Sequence, residues 1–236
     1  MTPYEYVGGE LDLFANARNW KRYFARLLQP FVRGRVLEVG AGIGETARVL
    51  SNGRVTSWVC LEPDPRLAER LGDLRLGGTV RPSAVVGDIT ATPAARVFDT
   101  ILYIDVLEHI DDDGAELLRA AERLAGAGHL IVLSPAFGFL FSAFDRALGH
   151  HRRYTKRTLG QVVPPSLVPV TVRYLDSVGM LLSVANRLLL RQSLPTLRQI
   201  LFWDRRVLPI SRCVDPLIRY ALGRSVIGVY RQPASP

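Results

Sequence analysis

A strand-like apolar run, Val36-Leu37-Glu38-Val39, passes directly into Gly40-Ala41-Gly42-Ile43-Gly44-Glu45-Thr46. Glycines at alternate positions let the backbone approach a bound nucleotide closely, and free N–H groups at a helix start favour a negatively charged group. A dinucleotide fingerprint needs Gly-x-Gly-x-x-Gly. Here the third glycine comes one position early and Glu45 stands in its place, where a pyrophosphate would meet a carboxylate. Three more carboxylates follow apolar runs: Glu62 in Cys60-Leu61-Glu62-Pro63, Asp88 in Gly87-Asp88-Ile89, and Asp105 in Asp105-Val106-Leu107-Glu108-His109-Ile110. Glu62 is suited to accept two hydrogen bonds from ribose hydroxyls. His109 is suited to take a proton, because imidazole titrates near neutrality. The run Gly149-His150-His151-Arg152-Arg153-Tyr154 adds His150, His151 and Tyr154 as second candidates, with Asp145 upstream as an ion-pair partner for an arginine.

Each of these residues also has a purely structural reading. Glu62 can cap a helix before Pro63, Asp88 can close a turn, and Asp111 to Asp113 cap and complement the dipole of a following helix. His109 can be a packing histidine, and the Gly149–Tyr154 run a loop held by an Asp145–arginine pair.

The elements that would position these residues follow from periodicity. Short continuous apolar runs at 35–39, 55–61, 80–86, 100–104 and 129–133 alternate with helical patterns at 44–51, 64–71 and 112–125. Such alternation predicts an α/β fold with a parallel sheet covered on both faces. Residues 11–33, with Leu11, Phe14, Ala17, Trp20, Ala25, Leu28 and Phe31 on a helical spacing, predict an amphipathic helix or helix pair ending near Pro30. After Ser134-Pro135 comes an aromatic segment, Phe137 to Phe144, and then a short helix capped by Thr155 and ending before Pro164. A strand at 168–175, an arginine-rich helical region at 177–221 broken by Pro195, Pro209 and Pro216, and a last strand at 225–230 complete the chain.

The register Glu-x-Gly-x-Gly-x-Gly resembles the first motif of class I S-adenosylmethionine-dependent methyltransferases. The Asp105–Ile110 segment closely resembles the acidic motif after their fourth strand, as in the ubiquinone-biosynthesis O-methyltransferases. Residues 34–134 carry this likeness. Ser134-Pro135-Ala136, Asp145 and Gly149–Tyr154 resemble a bacterial subgroup with a Pro-Ala, Asp, Gly-His-x-Arg-Arg-Tyr pattern. The resemblance implies a Rossmann-like, seven-stranded, mostly parallel sheet with helices on both faces. It also implies a helical cap at 1–33, and a methyltransferase domain at 34–236 whose segments 136–165 and 177–221 face the acceptor or form a lid. The implied cofactor is S-adenosylmethionine, giving S-adenosylhomocysteine as product. The implied cofactor residues are Glu38, Gly40, Ala41, Gly42, Gly44, Thr46, Glu62, Pro63, Asp88, Ile89, Asp105 and Val106. Glu38 would organise the turn from behind, Asp88 would face the adenine amine, and Ile89 would lie against the ring.

The resemblance leaves the acceptor open: a small molecule of natural-product, quinone, lipid or sugar type, with O-methylation favoured. No cysteine pair or His-x-x-x-His spacing suggests a metal, so metal-independent in-line transfer is expected. The net charge of +8 is uneven. Residues 1–145 carry 15 basic against 19 acidic side chains, and residues 146–236 carry 15 against 3. A basic half attracts an anionic acceptor or an anionic membrane surface. It equally describes a solvated face or one packed in a monomer or homodimer. No Asn/Asp-Pro-Pro-aromatic motif for a flipped base follows the fourth strand, which disfavours nucleic acid. Without an apparent leader in Met1–Glu10, a disulfide framework from Cys60 and Cys213, or a long enough apolar span in Val178–Leu190, a cytoplasmic protein is expected. A catalytically silent cofactor-binding module, a membrane-surface lipid or glycan methyltransferase and, less readily, a nicotinamide-dependent oxidoreductase are the other readings.

Overall fold

A computed structural model of the chain describes residues 9–76, 80–95, 97–189 and 196–234. Residues 1–8, Leu190 and Pro195, on which some sequence expectations rest, lie outside them. Helices α1 (Glu10–Ala15) and α2 (Arg18–Leu28) precede β1 (Gly34–Val39), α3 (Glu45–Leu50), β2 (Val55–Glu62), α4 (Pro65–Gly72), β3 (Ser83–Val86) and β4 (Phe98–Ile104). There follow α5 (Asp113–Arg123), β5 (Leu124–Pro135), α6 (Ala143–Ala147), α7 (Lys156–Val162), β6 (Val168–Leu175), α8 (Ser177–Leu189), α9 (Leu197–Phe202), α10 (Leu208–Leu217) and β7 (Ser225–Arg231).

The seven strands form one sheet in the order β3-β2-β1-β4-β5-β7-β6. The β1–β2, β1–β4, β2–β3 and β4–β5 pairs are parallel, and β7 runs antiparallel to both its neighbours. This is the Rossmann-like, seven-stranded, mostly parallel sheet that the sequence resemblance implies.

Continuous apolar strands feed two cores, because alternate side chains point to opposite faces. Val36, Leu102, Ile131, Leu133, Ile227 and Val229 pack with α2, α3 and the 200–208 region. Leu37, Ile101, Tyr103, Leu130, Val132 and Val226 pack on the other face with Leu117 and Ala120 of α5 and Leu159 of α7.

The structure refines several sequence expectations. Strand β5 starts at Leu124, five residues earlier than the apolar run suggests, and β3 is confined to residues 83–86. Helix α6 occupies part of the aromatic segment. Its capping box closes with the Asp145 carboxylate accepting from Ser142 N at 2.8 Å. Thr155 caps α7 as expected. Pro209 lies where a π-helical stretch passes into α10, and Pro216 lies within the final turns of α10, so neither breaks the helix at its own position.

The N-terminal helices and the late helical region are joined by buried carboxylates. A π-helical stretch at 203–207 connects α9 to α10 and carries Asp204. The Asp204 carboxylate caps α2 across 184 residues of chain, accepting from Trp20 N at 2.9 Å and Asn19 N at 3.2 Å. Asp215 on α10 accepts from Tyr23 Oη at 2.7 Å and from the start of α8 through Asp176 N and Ser177 N, at 2.8 and 3.0 Å. A buried carboxylate needs such a set of donors to be tolerated. Among the described residues no helix is long and apolar enough to cross a membrane.

Candidate active site

A cavity of about 1660 Å³ opens over the carboxyl ends of β1, β2 and β4 and the start of β7. Open α/β sheets bind ligands at this edge. Gly40 and Gly42, Glu62-Pro63, Gly87-Asp88 and Asp105-Val106 reach its wall from four successive strand ends.

The glycine turn depends on missing side chains. Gly40 has φ +67°, and a Cβ there would stand 2.6 Å from Val106 Cγ2; Gly44, φ +78°, begins α3 in the same left-handed region. Glu62, buried at the end of β2, holds this turn: Oε2 accepts from Gly42 N at 2.7 Å and Oε1 from Asp64 N at 3.0 Å. Each oxygen keeps a further acceptor direction for a donor at the cavity wall. Burial raises the Glu62 carboxyl, and the two backbone bonds oppose that rise.

Glu38, Ala41, Gly44 and Thr46 do not reach the wall. Glu38 lies behind the turn, where Oε2 accepts from Trp58 Nε1 at 2.9 Å. Burial pushes its carboxyl up to about 8 against hydrogen bonds from Trp58 and Thr46. Glu45 is turned to Lys21, whose Nζ lies 2.6 Å from Oε2. Around the glycine turn, the acidity facing the cavity therefore comes from Glu62, Asp88 and Asp105 rather than Glu45, and it suits a sulfonium better than a pyrophosphate.

Asp88 caps the turn at 89–91, with Oδ1 accepting from Thr90 N at 2.8 Å. Its carboxyl is lowered first by the Thr90 hydroxyl bond. Ile89, expected against the adenine ring, is instead fully buried in the core, because the tight turn points it beneath the sheet edge. Asp105 ends β4 with φ +54°, a conformation costing about 1 kcal/mol, and is pinned by Asp105 N donating to Leu133 O at 2.8 Å. The residue is accessible through the cavity, but protein surrounds its carboxyl; burial raises it to about 6, with His150 and Arg224 pulling it down.

At the acceptor end, the rings of His109 and His150 meet edge-on with centroids 4.5 Å apart. His109 is lowered to about 4, first by burial and then by His150. His150 Nδ1 lies 3.0 Å from Asp145 Oδ1, and Arg153 bonds the same carboxylate at 2.8 and 2.9 Å. The Gly-His-His-Arg-Arg-Tyr run thus combines both sequence readings: Arg153 holds the loop and His150 lines the pocket. His151 lines the exposed rim, with Nδ1 3.7 Å from Asp111 Oδ1.

Tyr154 is corrected as a proton-transfer candidate. It is buried away from the cavity, its hydroxyl donates to Asp113 Oδ2 at 2.7 Å, and burial raises its pKa further above the tyrosine range. Two wall residues had no role in the sequence reading. Glu108 is fully buried, with its carboxyl raised well above the usual range by burial and then by the Asp105 charge. Arg224, just before β7, lies over the Trp203 ring at 4.2 Å with Nε 3.5 Å from Asp176. The position of Asp105-Val106-Leu107-Glu108 after β4 was the available signal for Glu108; nothing local marked Arg224.

Known proteins share this architecture. The chain belongs to the methyltransferase-domain family, whose model matches residues 13–164. No curated protein matches it. Among solved structures it is similar to the N-methyltransferase NodS of Bradyrhizobium japonicum WM9 bound to S-adenosylhomocysteine. That match has 16% identity and a TM-score of 0.56, covering 92% of this chain and 86% of the other. It is also similar to a geranyl diphosphate methyltransferase in complex with S-adenosylmethionine (14%, TM-score 0.61, 96% and 91%) and to YcgJ of Bacillus subtilis (14%, TM-score 0.58, 91% and 99%). The chain is an S-adenosylmethionine-dependent methyltransferase.

Glu38→Gln tests the buried support of the turn. The Glu38 carboxyl is raised from 4.5 to about 8, so its stabilising contribution is complete below pH 4.5 and is lost as pH rises through 8. Melts at pH 5 and 8.5 are expected to show wild type losing stability relative to the glutamine variant, by about 1.4 kcal/mol per pH unit traversed at most. Parallel pH profiles would contradict the buried, protonated state.

Proposed function

We propose that the protein transfers a methyl group to the oxygen of an apolar small molecule carrying a hydroxyl. The observation that carries this reading is the shape of one cavity: an acidic, glycine-rich end at β1, β2 and β4, and a largely apolar end where the imidazoles of His109 and His150 converge. S-adenosylmethionine supplies the activated methyl. Gly40 and Gly42 admit it, Glu62 bonds its ribose, Asp88 and Val106 flank its adenosine and methionine portions, and Asp105 adds charge complementary to the sulfonium. Orientation and exclusion of water are the protein's main contributions to in-line transfer. His109 and His150 stand where the acceptor proton leaves, and His151 is peripheral to them.

Three segments supply the acceptor walls. Leu11, Phe14 and Trp20 come from the cap at 1–33; Leu140, Phe141 and Phe144 from 136–165; and Leu182, Ile200 and Trp203 from 177–221. These side chains suit an aromatic or isoprenoid-like body, and Arg224 offers a site for an anionic or carbonyl group. Exposed Leu181, Leu197, Phe202, Ile210 and Leu217 beside Arg198, Arg205 and Arg206 support a second reading, contact with an anionic membrane surface from which a lipid-like acceptor is taken. Salt-sensitive sedimentation with phosphatidylglycerol vesicles is expected on that reading, and absence of binding at low salt would contradict it.

The catalytic assignment is tested with labelled cofactor and a metabolite extract, scoring products that gain one methyl group. His109→Ala is expected to bind S-adenosylhomocysteine nearly as wild type while losing on the order of a hundredfold in turnover. Wild-type turnover would exclude His109, and a parallel loss of cofactor affinity would place it in the cofactor pocket instead.

A further inference from the structure

We propose that Glu108, His109 and His150 bind one divalent first-row transition cation at the acceptor end of the cavity. One ligand atom from each of the three lies within 4.8 Å of the other two. An ion bonded at about 2.0 to 2.2 Å to each can draw such a trio together by side-chain adjustment.

Glu108 supplies the first argument. It is fully buried yet borders the cavity, and neither of its carboxyl oxygens has a hydrogen-bond partner. The residue's own backbone N–H and the Ser134 hydroxyl lie near enough to favour the charged form, but neither makes a bond of proper geometry, and the hydroxyl is itself unpartnered. A buried carboxyl without donors is tolerated when it is neutral or when it faces a cation.

The histidines supply the second. His150 directs Nδ1 to Asp145, so that ring is held from behind and keeps its other nitrogen free, and the Leu148 carbonyl stands close enough to the His109 ring to raise its basicity. Asp145 is in turn fixed by Arg153 and by Ser142 N. Metal-ligating histidines are oriented by outer partners of this kind, a carboxylate or a backbone carbonyl.

Two imidazoles and one carboxylate are borderline donors that suit Zn²⁺, Fe²⁺, Co²⁺ or Mn²⁺ better than the all-oxygen cations. Three protein ligands leave further coordination positions, and the cavity gives access to them. The role of the site rests on the acceptor geometry of the preceding reading and alters only its means. The imidazoles hold the ion, and an acceptor hydroxyl ligated to it releases its proton to water more readily than when free.

The test uses the full chain, stripped with a chelator and dialysed against Zn²⁺ or Co²⁺, with metal content by elemental analysis and the visible absorption of the Co²⁺ form as readouts. Wild type is expected to take up one equivalent. Glu108→Gln, His109→Gln and His150→Gln, checked for folding by thermal melts, are each expected to lose roughly tenfold or more in affinity. No uptake by wild type would overturn the proposal and leave Glu108 a buried neutral acid. Unchanged affinity in any folded variant would overturn it equally. A parallel titration of wild type with S-adenosylhomocysteine separates the two readings: its failure would sink the proposed function whatever the metal content.

Discussion

The cofactor half of the molecule depends on the Glu62 carboxylate at the end of β2. Its two oxygens take the N–H groups of Gly42 and Asp64, and so tie the glycine turn after β1 to the start of α4. A turn with φ near +60° at Gly40 and Gly42 has no helical or strand ladder of its own. The carboxylate supplies the missing acceptor at a buried position, where an unpaired N–H is costly. Glu38 and Trp58 fill the space behind the turn, and Val106 occupies the volume a side chain at Gly40 would need. The same group that shapes the turn thus also lines the cavity.

The acceptor half is organised around buried acids of a different kind. Asp204 and Asp215 tie α2, α8 and α10 into one wall, and Asp145 ties α6 to the histidine loop. The arrangement explains how elements far apart in sequence close one cavity, and why the acid-poor C-terminal region, with only Asp176, Asp204 and Asp215 beyond residue 145, places all three in buried positions. Its arginines are left mainly at the surface, while Arg153, paired with Asp145, and Arg224, over Trp203, stand at the cavity wall.

Much of the fold and the cofactor wall was legible in the sequence. Continuous apolar runs mark strands buried on both faces, and Glu62, Asp88 and Asp105 fall at strand ends where a local pattern predicts them. What was not legible depends on contacts between distant segments. Ile89 reads as a pocket residue from its place after Asp88, but the turn at 89–91 rotates it into the core. Tyr154 reads as a site residue from its company, but Asp113, 41 residues earlier, claims its hydroxyl. The trio of Glu108, His109 and His150 has no sequence spacing to reveal it, because the loop after β4 meets the loop before α7 only in the folded chain. Strand β5 begins in Leu124-Ala125-Gly126-Ala127-Gly128, whose small residues hide a strand from a reading of hydrophobic runs.

The most direct test of the account is calorimetric titration of S-adenosylhomocysteine into wild type and Glu62→Ala, with the fold of the variant verified by circular dichroism. Loss of a carboxylate that sets the turn and is proposed to bond the ribose predicts weaker binding by about 1.5 to 3 kcal/mol, roughly tenfold to a hundredfold. Wild-type affinity in a folded Glu62→Ala protein would contradict it.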